Sequence, residues 1–577
     1  MRGADILVKM LIDHGVTHIF GVPGDTSMAF HDAMRLNKDK ITHILCRDER
    51  HAAYAADAYS RMTGKIGVVE VPSGGGALYV VPGVSEANMS NIPLLCLASE
   101  ITMSSEEMCA LTDCNQEALF ASASKWNTKV RLSSKLPQMI RKAIRTATSG
   151  TPGATVLSLP ENLLRDAFDG KESDVYGCEQ DGRWQQLQNM PTIERAQEIY
   201  DVIRKAKKPV ILAGGGVHLA NAYQELEELA KGLNVPVVTS IDGKGSVAET
   251  EYYSLGVVGA NGGSAPANEV VMQADMILVL GCKMDKVTTM GEKLIPSDAV
   301  IVQVDVDEMI LANVLRVKYP VMCDIKGFLQ QLNAVHSHSE LPPQHNKDWM
   351  AFVEKQRKAK EAFIQKDYSR TAPYGVVSAK IFECLEKITD EKTVFCGDAG
   401  TPTPYISSYL KQKVAGKNTV IPRAHGALGY AIGASIGAQV ARPDHKVICM
   451  VGDSSFGMAM GELETAKRVG LPIVFINFQN NCYGWIKTIQ RLYYEENYFG
   501  VDFSPIDAVK IAEGFGIKGK NITCNQEIET VLKWALELGE PVMINVITEK
   551  HENFIPPVYQ WEKDAAVTFT DREKLVY

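Results

Sequence analysis

Gly452-Asp453-Ser454-Ser455-Phe456 follows the apolar run Val447-Ile448-Cys449-Met450-Val451, and Asn480-Asn481-Cys482-Tyr483-Gly484 follows a second run, Pro472-Ile473-Val474-Phe475-Ile476-Asn477-Phe478. Apolar runs this short read as strands buried in a parallel sheet. Between them, Met460 to Val469 carries a helical pattern. The unit is therefore βαβ, with its polar residues at the carboxyl ends of adjacent strands, where open α/β sheets hold ligands.

The same alternation of short apolar runs and amphipathic stretches extends over the whole chain, in three blocks. The predicted class is α/β, with three doubly wound parallel-sheet domains at residues 1–165, 190–335 and 370–550 and a tail at 551–577. Polar residues from about Asp166 to Met190 and a charged run from about His336 to Tyr368 separate the blocks. A chain of 577 residues is too long for one core. Net charge of −9 gives no footprint for nucleic acid. No stretch reads as a membrane span, and the N-terminus enters a helical pattern rather than a signal peptide, so a cytoplasmic protein is expected. The 12 cysteines are scattered without a CxxC pair, which predicts free thiols rather than disulfides or a metal site.

The two strand-end blocks have a chemical logic. A carboxylate and an amide oxygen are hard ligands that, with diphosphate oxygens, complete an octahedral Mg2+ shell. Gly452, Ser454 and Ser455 are small enough to let backbone N–H groups approach a phosphate. A strand-end Gly-Asp alone is usually a plain turn; the spaced Asn-Asn-x-x-Gly is what distinguishes this one. The pattern resembles the diphosphate motif of thiamine diphosphate enzymes, with Ser454 where that family usually carries glycine or alanine. The resemblance implies Asp453, Asn480 and the Cys482 carbonyl as Mg2+ ligands. It further implies Gly452, Asp453, Ser454, Ser455, Asn480, Cys482, Tyr483 and Gly484 as cofactor contacts, with Gly400 and Thr401 from a second loop.

In the first block, Arg47-Asp48-Glu49-Arg50-His51 closes a predicted strand, Ile41 to Cys46, and an alanine-rich helix follows. By itself this is a solvated charge cluster. Beside the C-terminal motif it resembles the family's pyrimidine-binding segment, which makes Glu49 the acid partner of the cofactor's ring nitrogen; partial burial would raise its pKa and favour proton sharing. The same resemblance assigns Gly24, Ser73, Gly74, Gly426 and Leu428 to the cofactor, Leu428 as the wedge that bends it. It points Gln116, Asp25 and His425 at the reacting carbon. Arg50 and His51 are further candidates for a substrate carboxylate, although each has an ordinary structural reading.

Domain order resembles the group of acetohydroxyacid synthases, pyruvate oxidases and 2-oxo acid decarboxylases. Lys550-His551-Glu552-Asn553-Phe554 resembles the synthase terminus, whereas Asp25 resembles the decarboxylases, whose paired histidines are missing near Asp113. The expected activity is decarboxylation of a 2-oxo acid followed by carboligation to a second carbonyl compound. Simple decarboxylation, a lyase reaction and a non-catalytic cofactor-binding paralogue are the alternatives. FAD, ADP or CoA in the central block is raised by Gly214-Gly215-Gly216, although a plain strand-to-helix turn explains these glycines equally well. The flavin-contacting Arg-Phe-Asp-Asp-Arg run of the synthases becomes Lys283-Met284-Asp285-Lys286, and lysine does not reproduce arginine's planar fork. Since Glu49 and Asp453 lie on separate blocks, a homodimer or homotetramer with active sites between subunits is expected.

Overall fold

The computed structural model describes residues 1–184, 189–339, 342–343 and 347–573, so parts of both expected linkers and the end of the tail lie outside the described residues. Among the described residues, eighteen strands form three six-stranded parallel sheets. The first contains β1 (His18–Gly21), β2 (Thr42–Leu45), β3 (Gly67–Val71), β4 (Leu94–Glu100), β5 (Trp126–Lys129) and β6 (Ala154–Pro160). The middle sheet contains β7 (Pro209–Ala213), β8 (Val237–Thr239), β9 (Ser254–Val257), β10 (Met276–Leu280), β11 (Val300–Asp305) and β12 (Tyr319–Met322). The third contains β13 (Thr393–Gly397), β14 (Thr419–Val420), β15 (Lys446–Gly452), β16 (Val474–Gln479), β17 (Lys518–Ile522) and β18 (Val542–Ile547).

First and third sheets share one order, β2-β1-β3-β4-β6-β5 and β14-β13-β15-β16-β18-β17. The middle sheet differs: β9-β8-β7-β10-β11-β12 is the order of dinucleotide-binding folds. Its glycine turn is explained by packing. A Cβ on Gly214 would stand 2.3 Å from the Gly281 carbonyl oxygen, and one on Gly216 would stand 2.6 Å from the Gly281 Cα.

The alanine-rich helix runs Glu49–Thr63, three residues earlier than the alanines suggest. Asp48 caps it by accepting the Arg50 N–H at 2.8 Å, and Gly64 closes it at φ 67°. Glu49 is thus the first residue of a helix rather than the end of a strand. The segment after β15 also differs from expectation. One helix begins at once, Asp453–Ala459, and a second follows at Glu462–Val469.

The alanine-rich helix packs on Tyr430–Ala441 from the third unit, at backbone contact. A Cβ on Gly437 would stand 1.9 Å from the Ala55 carbonyl oxygen, and one on Gly433 would stand 2.8 Å from that of His51. Ala52, Ala53, Ala55, Ala56 and Ala58 are fully buried. Two buried carboxylates lock the contact reciprocally. Glu86, on the helix Gly75–Met89, accepts the backbone N–H groups of Arg423, Ala424 and His425 at 2.8, 3.0 and 2.9 Å. Glu462 accepts those of Arg47 and Asp48 at 2.8 and 3.0 Å.

Gly437→Ala should lower stability by about 2 kcal/mol or more through overpacking, whereas Gly457→Ala, with no heavy atom within 4 Å of the new Cβ, should be neutral or mildly stabilising; thermal unfolding of the two variants checks this. A pH effect follows from Glu462. Burial raises its pKa from 4.5 to about 7. The native state holds this proton more tightly than the unfolded chain, so stability is lost as pH rises from the unfolded to the folded value. Relative to wild type, Glu462→Gln should therefore gain thermal stability between about pH 5 and about pH 7.5 and level off above.

Candidate active site

At the carboxyl ends of β13, β15 and β16, the third sheet opens into a cavity of about 350 Å3. β15 ends at Gly452 and delivers Asp453, whose carboxylate gathers the two strand-end loops. Oδ1 accepts the Ser454 N–H at 3.0 Å, and Oδ2 accepts those of Asn480 and Asn481 at 2.9 and 2.6 Å. Burial pushes the Asp453 carboxyl up to about 6 despite these bonds. Asn480 Oδ1 accepts the Cys482 N–H at 3.1 Å, and the Cys482 carbonyl accepts that of Gly484 at 2.9 Å. Asn481 makes the turn at φ 59°.

Glycine usage separates packing from ligand access. Gly484 is pinned by its neighbours: a Cβ there would lie 2.7 Å from the His551 ring. Gly400, Gly426 and Gly452 line the cavity and have nothing within 4 Å of a Cβ position. Gly400 and Gly426 need glycine for their φ of +90° and +61°. Gly452 needs it for neither conformation nor packing, so what its bare backbone serves is the open space beside it. A diphosphate fits that cradle chemically, against the amide-rich start of the helix at Asp453.

Of the residues singled out in the sequence, Gly400, Thr401, Gly426, Leu428, Gly452, Asp453, Ser454, Ser455, Asn480, Cys482, Tyr483 and Gly484 all line this cavity. Glu49, Gly24, Asp25, Ser73, Gly74, Gln116 and His425 do not. Glu49 lies on the first unit beside Gly76, where a Cβ would stand 3.2 Å from its Oε1. Its pKa is raised, first by burial and then by the charges of Asp48 and Glu70. Asp25 is exposed at the start of the turn Asp25–Ser27. Gly24 packs against Pro72, which a Cβ would approach to 2.4 Å. Ser73 joins Thr26 and Thr112 in a hydroxyl cluster, with Oγ 2.8 Å from Thr112 Oγ1. Gly74 holds φ +63° at the head of a helix.

Three candidates are turned elsewhere within the chain. Gln116 is buried and donates to the Ser99 carbonyl at 2.8 Å, because its short helix packs it inward under β4. His425 is exposed with Nε2 2.7 Å from Ser85 Oγ, since the Glu86 clamp fixes its backbone over the Gly75–Met89 helix. His51 is buried between Asp48 and Glu462, its Nδ1 3.8 and 3.9 Å from their oxygens, and burial pushes it down to about 4.

Other contributors were not singled out individually in the sequence. Asp398 is fully buried and accepts Gly429 N, Ala431 N and Ser455 Oγ at 3.1, 2.9 and 2.8 Å, tying the Leu428 loop to the Asp453 helix. Its carboxyl is also pushed up to about 6 by burial. Trp485 lines the cavity and packs on the buried Trp561 of the tail at 4.3 Å between ring centroids. His551 stands with Nδ1 3.5 Å from Asn480 Nδ2. A larger hollow, about 1340 Å3, opens at the strand-order reversal of the middle sheet, beside Gly215, His218, Asp242, Lys283 and Asp305.

Two doubly wound units of one topology, joined by a third with dinucleotide-fold order and carrying this strand-end cradle, define an enzyme built around a diphosphate-bearing cofactor. The chain belongs to the thiamine pyrophosphate enzymes: the family's N-terminal TPP binding domain matches residues 1–119, its central domain residues 196–332 and its C-terminal TPP binding domain residues 398–546. It is 30% identical over 569 residues to the probable acetolactate synthase large subunit of Methanocaldococcus jannaschii, covering 96% of this chain and 94% of the relative. It is 29% identical to the probable acetolactate synthase large subunit of Methanococcus aeolicus, with the same coverage. With the acetolactate synthase isozyme 3 large subunit of Escherichia coli (strain K12) it shares 28% identity, over 96% of each chain.

Gly452→Ala should leave the melting temperature of the cofactor-free protein nearly unchanged, yet weaken thiamine diphosphate binding at least about tenfold, as followed through the fluorescence of the cavity tryptophan.

Proposed function

We propose that this protein is a Mg2+-dependent carboligase of the acetolactate synthase type, which decarboxylates a 2-oxo acid and transfers the remaining acyl unit to a second carbonyl compound. The carrying observation is that Asp453, Asn480 and Cys482 line one cavity together with the bare backbone of Gly452. When bound, thiamine diphosphate supplies a nucleophilic carbon and an electron sink for decarboxylation. Asp453, Asn480 and the Cys482 carbonyl would hold Mg2+, a hard ion suited to three oxygen donors. Gly452, Ser454 and Ser455 would hold the diphosphate. Leu428 would support the cofactor, and Trp485 and Phe554 would help exclude water from the cavity.

Glu49 holds a proton more readily than an ordinary glutamate, as an acid partner of the aminopyrimidine requires. It does not reach the cavity of its own chain, so a second copy must supply it. Exposed apolar side chains flank the Glu49 loops and support such a contact: Met28, Leu78 and Tyr79 are 51%, 52% and 64% exposed. In that arrangement Gly24, Asp25, Ser73 and Gly74 would cover the cavity of the partner, with His425 at the seam. A cytoplasmic homo-oligomer is the proposed setting; no described helix is long and apolar enough to cross a membrane. The proposed reaction needs no flavin. Lys283, in the segment where the synthases carry arginines, is engaged with the Met89 carbonyl.

Asp25 favours simple decarboxylation as the second reading, because it resembles the aspartate of the decarboxylases and its side chain is exposed on a loop of the first unit. The two readings separate by product. With thiamine diphosphate, Mg2+ and a panel of 2-oxo acids, wild type should release CO2 together with a condensed hydroxyketo product. Glu49→Gln should retain cofactor and lose turnover by about 100-fold or more. CO2 with free aldehyde would move the assignment to a decarboxylase, and cofactor binding without any turnover by wild type would leave a non-catalytic protein.

A further inference from the structure

His31, His43 and Glu70 come together on the first sheet, away from the cavity described above. His31 Nε2 and His43 Nε2 each lie 3.0 Å from the same oxygen, Glu70 Oε1. Among the described residues this is the one grouping of three or more histidine, cysteine, aspartate or glutamate side chains whose ligand atoms all fall within 4.8 Å of one another.

Sheet register builds the site. His43 on β2 pairs with Ile19 on β1, and Glu70 on β3 pairs with Gly21. Residues two apart on a strand share a face, so all four positions address one side of the sheet. That side is the outer one, where Ile19 packs with Phe30 and Ala33 of the helix Met28–Leu36, and this helix supplies His31. The gap is made by Gly21: a Cβ there would stand 2.6 Å from Glu70 Oε1. Hydrogen bonding alone accounts poorly for the trio. A carboxylate has two oxygens to share, yet both imidazoles converge on Oε1, while Oε2 is buried without a partner. Glu70 is 2% exposed at its side chain and the two imidazoles 21% and 16%, so the cluster is closed below and open to water above.

We propose that His31, His43 and Glu70 form a site for a divalent transition-metal ion of the zinc class, completed by water. Two imidazoles and one carboxylate suit such an ion, whereas Mg2+ prefers oxygen donors throughout. With metal–ligand bonds of about 2.0–2.2 Å, ligand atoms at roughly 90–110° lie about 2.9–3.4 Å apart. The 3.0 Å Nε2–Oε1 separations match. Small rotations of the partly exposed imidazoles close the remaining distance. The ion ties the Met28–Leu36 helix and β2 to β3 at the root of the loop that carries Gly24 and Asp25.

The test uses the full-length protein with thiamine diphosphate and Mg2+, in wild type, His31→Ala/His43→Ala and Glu70→Gln, and each again with Asp453→Asn to remove the cofactor-metal ligand. After chelation, reloading with Zn2+ and desalting, elemental analysis should find about one more zinc per chain in wild type than in the double-histidine variant, with or without Asp453→Asn. Both proteins carry the same cysteines, so thiol-bound zinc cancels in this comparison. Co2+ should give a visible ligand-field band in wild type that the double variant lacks, and Glu70→Gln should weaken zinc binding at least about tenfold. Equal zinc in wild type and the double variant, at any level, overturns the proposal, as does a Co2+ band that persists without the two histidines.

Discussion

Everything that positions the cavity depends on the backbone-to-backbone contact between the alanine-rich helix Glu49–Thr63 and the helix Tyr430–Ala441. The contact is possible because Gly433 and Gly437 present bare backbone where His51 and Ala55 approach, and Tyr54 packs on Tyr430 beside them with ring centroids 5.0 Å apart. Close approach gains dispersion contacts and costs little side-chain entropy, since alanine and glycine have no rotamers to lose. The two carboxylates, Glu86 and Glu462, then satisfy backbone N–H groups that the meeting of two units would otherwise bury unpaired. From this joint hangs the Arg423–Leu428 segment, one end clamped by Glu86 and the other by Asp398 through Gly429 and Ala431. The lower wall of the cavity is therefore set by domain packing rather than by the loop's own preferences.

Burial gives the site its electrostatic character. Asp398 and Asp453 are both pushed up to about 6 by loss of water, while each accepts three or more hydrogen bonds, mostly from backbone N–H groups. Carboxylates in such surroundings are poor at staying charged alone and good at holding a cation or a network of donors in one geometry. Glu49 shares the trend on the opposite unit, where holding a proton is the property its proposed role requires. The same physical term thus serves two purposes, fixing loops on one side of the site and tuning an acid on the other.

The fold class was legible because each unit repeats the same local signals, a short apolar run, a polar strand end and an amphipathic helix. The lining of the cavity was legible too, since Gly452, Asp453, Asn480 and Gly484 lie close in the chain and are brought together by one βαβ unit. Residues acting through distant partners were not. Glu49 was read as the end of a strand, because a cap at Asp48 reads locally as a charge cluster. Gln116 and His425 point inward and toward Ser85 for reasons that lie in β4 and Glu86, beyond any local pattern. Asp398 is anchored by Gly429, Ala431 and Ser455, which lie 31, 33 and 57 residues further along the chain, beyond any local pattern. The His31, His43 and Glu70 trio is assembled by register across three strands, which spacing along a sequence does not encode.

The joint between the two outer units also has a history within each molecule's synthesis. Arg47 and Glu462 are 415 residues apart, so the first unit emerges long before its clamp exists. At about 5–20 residues per second, the buried face of the alanine-rich helix waits roughly 20–80 s for its partner. A face of leucines would offer nascent neighbours a sticky surface for all of that time; a face of alanines offers little apolar area per residue. Small side chains at the crossing therefore serve the newborn chain as well as the finished one, keeping the half-built protein quiet until its second half arrives.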